Sequence, residues 1–146
     1  MLEISLDASR LEHGLGQLLK NATNTRPMMR AIATEMVSLT EDNFENESWG
    51  GEKWKQSKRA ANGGKTLQLT GQLAASISTK VGNDFAQIGS NKKYAAIHHL
   101  GGQAGRGRKV TIPARPYLPI NGSGQLQNGA EKKLIDIAIE SLRAGL

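Results

Sequence analysis

His98 and His99 are adjacent in the chain, and a histidine pair is the first place to look for a metal or a proton relay. Neighbouring residues on a helix point about 100° apart, so they do not close on one ion as an i, i+4 pair does. The chain has no cysteine, and no carboxylate lies close to the pair in sequence. The expected arrangement is one ring packed against the core and the other exposed, with no metal held. Acidic residues concentrate at Glu41, Asp42, Glu45 and Glu47. Two carboxylates can act as general acid and base when held rigidly. Here they fall where a helix runs into a loop, a poor place to fix catalytic geometry. Gly63-Gly64-Lys65-Thr66 has the tail of a phosphate-binding loop but lacks its upstream glycine and preceding strand. No Gly-x-Ser-x-Gly nucleophile elbow is present. The expectation is that the chain is not an enzyme and takes no cofactor, with a spatially assembled hydrolase site as a minor rival.

The remaining chemistry is charge and aromatic surface. The 146 residues carry a net charge of +6, with cations gathered at Lys53, Lys55, Lys58, Arg59 and Lys65 and at Arg106, Arg108 and Lys109. Such segments suit an acidic protein surface or a phosphate backbone equally. Trp49 precedes the first basic run and Trp54 lies within it. Tryptophans there can stack on bases, anchor a protein interface, or fold back as a lid on the core. A protein contact is the favoured expectation.

These segments need elements to hold them. Hydrophobic residues make up 38% of the chain and aromatics only 4%, so the core must rest on Leu, Ile, Val, Met and Ala. No apolar run approaches the roughly 20 residues of a membrane span, and the alternating start Leu2-Glu3-Ile4-Ser5-Leu6 is unlike a signal peptide. A cytoplasmic protein is expected. That alternation predicts a strand. A helix capped by Asp7 or Ser9 and carrying Leu11, Leu15, Leu18 and Leu19 follows. Pro27 opens a helix to Asn46 whose apolar stripe is Met28, Ile32, Met36 and Leu39.

Residues 47–65 show no apolar period and read as a long flexible loop. Ile77 to Val81 and Phe85 to Ile88, split by Gly82-Asn83-Asp84, predict a hairpin. Tyr94 to Leu100 predicts a short helix stopped by Gly101-Gly102, and residues 101–109 a second flexible loop. Pro113, Pro116 and Pro119 point to extended or edge segments. A final helix carries Leu126, Ala130, Leu134, Ile137 and Leu142. The fold class is α+β, one domain over residues 1–146. A small, mostly antiparallel sheet is packed by a long N-terminal helix and a C-terminal helix, with two long flexible loops.

Four pieces stand in fixed order: Phe44-x4-Trp49-Gly50-x3-Trp54; Leu69-Thr70-Gly71-Gln72-Leu73-x2-Ser76-Ile77; Ile88-Gly89 with Tyr94-Ala95-Ala96-Ile97-His98-His99-Leu100-Gly101; and Ile112-Pro113-Ala114-Arg115-Pro116-Tyr117-Leu118. Their order resembles the bacteriophage virion morphogenesis family of Mu-like and P2-like tail-completion proteins, and related head–tail joining proteins share similar pieces. The resemblance runs from about Phe44 to Leu118. Family members often carry Pro-x-Gly ahead of the first tryptophan. Glu47-Ser48-Trp49-Gly50-Gly51 stands here instead, which leaves that loop's conformation open.

The resemblance implies a structural protein of phage or prophage, acting in tail completion or head–tail joining as a subunit of a ring, often hexameric. The implied partners are copies of itself, formed into a ring on assembly, and tail terminator, tube or head-connector proteins. The resemblance also admits contact with genomic DNA and implies no membrane partner. Its implied location is the host cytoplasm and then the tail or neck of the virion. The expected assembly surface comprises Trp49, Lys53, Trp54, Lys55, Lys58, Arg59, Arg106, Arg108, Arg115 and Tyr117. Arg115 is expected to grip a carboxylate within or between subunits. A heterologous ring contact needs two unlike patches, and the acidic helix end and basic loop supply opposite signs. The two loops are expected to order only on assembly. The rival reading is a nucleic-acid-binding module using the basic loops.

Overall fold

The computed structural model describes residues 2–7, 24–57, 63–64 and 71–144. The expected helix through Leu11 to Leu19, the cations Lys58, Arg59 and Lys65, and the start of the second motif at Leu69 and Thr70 lie outside them. The described elements are β1 (Leu2–Asp7), α1 (Arg26–Asn46), β2 (Ser48–Trp49), β3 (Glu52–Lys53), α2 (Gln72–Ala75), β4 (Ile77–Val81), β5 (Phe85–Ser90), α3 (Ala95–Leu100), β6 (Gly102–Ala104), a 3₁₀ turn (Arg106–Arg108), β7 (Val110–Ile112) and α4 (Ala130–Ala144). This is the expected mixed α+β architecture.

α1 organises the fold. Pro27 sits in its first turn, where its missing N–H costs nothing. The helix N-terminus is fastened to the β4–β5 turn: Thr25 Oγ1 donates to the carbonyl of Asn83, and Arg26 Nε donates to Asn83 Oδ1 at 3.3 Å. The predicted stripe is buried as Met28, Ile32, Met36 and Leu39, and it continues through Met29, Ala33, Thr40, Asn43 and Phe44. Glu47 then takes a left-handed conformation (φ 50°), its N–H bonded to the carbonyl of Asn43, and the helix stops.

One face of an antiparallel sheet in the order β1-β5-β4 packs on this stripe. Ile88 pairs with Ile4 on one side and Thr79 on the other. Ala86 and Ile88 are fully buried, with Leu2, Ile4, Ile77 and Val81 packed around them. Gly89 is required in β5, because a Cβ there would stand 2.1 Å from the carbonyl oxygen of Leu2. α4 covers another side of α1 through Ala130, Leu134 and Ala138, and Lys133 Nζ lies 3.0 Å from Glu35 Oε1 across the pair.

Three expectations need correction. The final helix begins at Ala130, because Gly129 (φ 83°) breaks the stripe; Leu126 lies upstream, bridged to Ile120. The described part of the first loop is a tight hairpin, β2 paired with β3, and Trp54 N–H returns to the carbonyl of Glu47 at 2.9 Å. The second loop is also a hairpin, with β6 paired with β7 around the Arg106–Arg108 turn. The glycines there supply positive φ for tight turns, at Gly105 (79°) and Gly107 (70°).

Candidate assembly surface and the network behind it

Residues 115–120 run through the interior without belonging to a sheet. Arg115, Tyr117, Leu118, Pro119 and Ile120 are all buried. Buried backbone without a ladder must find its hydrogen-bond partners elsewhere. Two prolines remove two donors, and side chains from distant elements take most of the rest. Trp54 Nε1 donates to the carbonyl of Pro116 at 2.7 Å, and Trp49 Nε1 to that of Leu118 at 2.9 Å. Asn43 Nδ2 donates to the carbonyl of Tyr117 at 2.9 Å. The backbone N–H of Gln127 donates to the carbonyl of Pro119 at 2.8 Å.

His99 supplies the rest. Its Nδ1 accepts the N–H groups of Tyr117 and Leu118 at 3.2 and 3.3 Å, which makes Nε2 the protonated nitrogen and the donor to Ile120 oxygen at 2.7 Å. Every backbone polar group from Pro116 to Pro119 is therefore satisfied. Burial holds the His99 pKa below its ordinary value, against the opposing pull of the Ile120 carbonyl. His99 is a buried structural histidine whose two nitrogens are both taken. His98 is half-buried rather than exposed, lies edge-on to Tyr94, and is also held below its ordinary pKa by burial and then by the charge of Arg115.

The aromatic side chains close the same cluster. Phe44 stacks on Tyr117 (centroids 5.1 Å apart, 26° between planes) and meets Trp54 edge-on at 5.9 Å. Tyr117 is fully buried, donates its hydroxyl to the carbonyl of Ala95 at 2.7 Å, and has its pKa pushed well up by burial. Arg115 Nε donates to the carbonyl of Lys55 at 2.7 Å, and burial lowers its pKa. Gly101, at φ 75°, stops α3 and leaves no room for a Cβ, which would come within 2.8 Å of the backbone nitrogen of Ala114.

The structure thus splits the expected surface in two. Trp54, Arg115 and Tyr117 are buried and Trp49 half-buried, all four turned to backbone carbonyls of their own chain, so they do not form a free contact face. Both indoles fold back on the core through these bonds, Trp54 buried and Trp49 with part of its surface still exposed. The Arg115 partner is a carbonyl rather than a carboxylate. Lys53, Lys55, Arg106 and Arg108 remain exposed, joined by Lys109. Lys58 and Arg59 fall outside the described residues. The 3₁₀ turn carries its cations beside Val110, 53% exposed, while Leu100 at the end of α3 is 47% exposed. Glu41, Asp42 and Glu45 are exposed along the last turns of α1.

Sequence reasoning overlooked Asn43 and Gln127, which bond to each other at 2.7 Å. Asn43 also accepts the N–H of Gly50 at 3.2 Å, tying α1, the β2–β3 hairpin and residues 117–127 together. A signal existed: Asn43 lies on the apolar stripe, one turn beyond Leu39, where a polar residue calls for a partner. Among the described residues no three or more His, Asp or Glu gather as a metal site, and no helix is long and apolar enough to cross a membrane.

Three of the four motifs meet in this network, and the fourth contributes Leu73 to the core and Ser76, whose hydroxyl lies 2.5 Å from that of Ser90. No solved structure is a significant match to the chain. It is 43% identical over 119 residues to Mu-like prophage FluMu G protein 2 of Haemophilus influenzae, covering 81% of this chain and 83% of that protein. It is 36% identical over 136 residues to the putative capsid assembly protein G of Escherichia phage Mu, covering 85% and 86%. A second Haemophilus influenzae protein, Mu-like prophage FluMu G protein 1, is 29% identical over 134 residues, covering 84% and 86%. The model of the phage virion morphogenesis family matches residues 6–143. With nearly the whole chain matched, and the shared motifs building its interior, the chain belongs to the phage virion morphogenesis family, proteins of phage particle assembly.

Proposed function

We propose that this chain is a non-enzymatic ring subunit that completes the phage tail or joins it to the head. The observation that carries this reading is where its reactive side-chain types go. His99, Arg115, Tyr117 and both tryptophans hydrogen-bond to backbone of their own chain, while unlike charges stand apart on exposed elements. That is the composition of a rigid block with contact faces. Its partners are copies of itself and the tail terminator, tube or connector proteins beside it. It works in the host cytoplasm during assembly and stays in the tail or neck. The capsid-assembly name of the phage Mu relative supports a place towards the head.

The described parts of both hairpins are fastened by the chain's own hydrogen bonds, so assembly joins preformed surfaces there instead of ordering slack loops. The test is to delete the chain from a producing phage and examine the particles by electron microscopy. Filled heads and separate tails that fail to join, restored by supplying the chain, are expected. Normal particles without it would falsify the proposal.

A second reading draws on Arg106, Arg108 and Lys109, exposed together on one hairpin turn. Three cations there suit a phosphate backbone. Base stacking on the tryptophans finds little support beside it, since Trp54 is buried, Trp49 is half-buried and both indole N–H groups are held by backbone carbonyls of the chain. Binding to duplex DNA whose log affinity falls steeply with log salt would favour this reading, and weak binding at low salt would remove it.

A further inference from the structure

Between the last turns of α1 and the α2–β4 corner lies an open cleft of about 380 Å³. Val37, Phe44, Ala74 and Ile77 form its apolar lining, and Glu41 and Glu45 stand at the rim. It takes no part in the network around residues 115–120 beyond sharing Phe44. Val37, Ala74 and Ile77 are half-buried, packed on the core from one side and open on the other. At about 30 Å³ per water, filling it displaces on the order of ten waters from partly apolar walls.

We infer that this cleft receives the β6–β7 hairpin turn of a second copy of the chain, so that Val110 enters between Val37 and Ile77 while Arg106 and Arg108 face Glu41 and Glu45. The inference rests on the ring reading and gives it a contact. The complementarity is both apolar and electrostatic. Three cations of the turn lead into an exposed branched side chain, Val110 at the start of β7, and the cleft has an apolar floor with Glu41 and Glu45 at its rim. Cleft and turn are unlike surfaces on one chain, as a head-to-tail contact requires. The carboxylate rim also selects against nucleic acid as the occupant. This contact replaces the expected pairing of the acidic helix end with the residue 53–65 loop. Lys53, from that loop, donates instead to the carbonyl of Asn46 on its own chain at 3.1 Å.

The chain has no cysteine, which makes the test clean. Ala75→Cys, in the cleft wall, and Val110→Cys, at the start of β7 next to the turn, are made separately at exposed positions. Both proteins are mixed and oxidised at a concentration where sedimentation shows the unmodified chain to self-associate. A disulfide dimer from the mixture, with roughly a tenth of it or less from either protein alone, is expected of an unlike-surface contact. Glu41→Lys and Arg106→Glu are each expected to lower the yield roughly tenfold, and combining them across the contact to restore it. Self-association without a mixed disulfide overturns this contact and leaves the ring reading standing. Equal yields from Ala75→Cys alone overturn it in favour of a like-with-like dimer. A chain that stays monomeric at every accessible concentration removes both this contact and self-driven ring formation.

Discussion

The guanidinium Nε of Arg115 donates to the carbonyl oxygen of Lys55 at 2.7 Å, across a separation of 60 residues. This bond holds the end of the β2–β3 hairpin to the proline-stiffened segment. Arg115→Ala removes a charged donor and strands the carbonyl, at a cost of about 1.5–3 kcal/mol. Arg115→Lys should recover little, because an ammonium on a flexible stem does not place a donor where Nε stands. Urea unfolding measures the loss, and tryptic cleavage after Lys55 should accelerate in both variants. An unchanged midpoint together with unchanged cleavage would show the clamp to be idle.

The two tryptophans should separate ring from indole N–H. Trp54→Phe keeps an aromatic ring against Phe44 but leaves the Pro116 carbonyl without its donor, costing about 1–3 kcal/mol. Trp54→Ala adds a cavity and should cost about 3–5 kcal/mol. Trp49→Phe should resemble the milder change, since Trp49 is only half-buried. Thermal and urea denaturation would expose the error if Trp54→Ala proved as mild as Trp54→Phe.

His99 sets a limit on the acid side. Its folded pKa lies below the ordinary value of 6.5, and that of His98 moves the same way. The unfolded chain therefore takes up protons first as pH falls. The stability these residues contribute is fully present above 6.5 and is lost as pH drops below it through the folded values. The unfolding midpoint should be level near neutrality and decline below it. Nitrogen-detected NMR should find His99 neutral and protonated at Nε2. A midpoint that rises on acidification would contradict the assignment.

Arg108 holds φ at 54°, a left-handed conformation costly for a residue with a Cβ. Arg108→Gly relieves that strain while adding unfolded-chain freedom, so monomer stability should change by no more than about 1 kcal/mol in either direction. If Arg108 serves the contact at the cleft, self-association should weaken markedly in the same variant. Calorimetry beside sedimentation separates the two. Loss of folding with association intact would reverse the roles given to this residue.

How much of this was legible follows from what is local. α1 is written in the spacing of Met28, Ile32, Met36 and Leu39, and the β4–β5 hairpin in two apolar runs split by Gly82-Asn83-Asp84. The glycine that opens α2, Gly71, and the one that stops α3, Gly101, are equally local signals, and both take positive φ. The β2–β3 hairpin escapes because two residues per strand are too few to display a period. Residues 101–109 escape because glycine signals a tight turn and a slack loop with the same letter. The bonds of the tryptophans are not legible in the sequence because their partners, Leu118 and Pro116, lie 69 and 62 residues away. No local pattern says which carbonyl an indole will reach. The cleft beside Val37 is an absence of atoms between separate elements, and such a void has no signature in the order of residues.

The segment from Pro116 to Pro119 has no regular structure, yet its bonds run to α1, the β2–β3 hairpin, α3 and the approach to α4. It cannot fray by itself, because releasing one of its groups breaks a tie to another element. The amides of Tyr117 and Leu118 should therefore exchange with solvent as slowly as those of the long helix, opening only when the whole domain opens. Disturbance at one anchor would then be felt at all of them. Where an irregular coil usually cushions motion between elements, this one is a keystone, and under the proposed assembly role the chain would meet its partners as a single stiff piece.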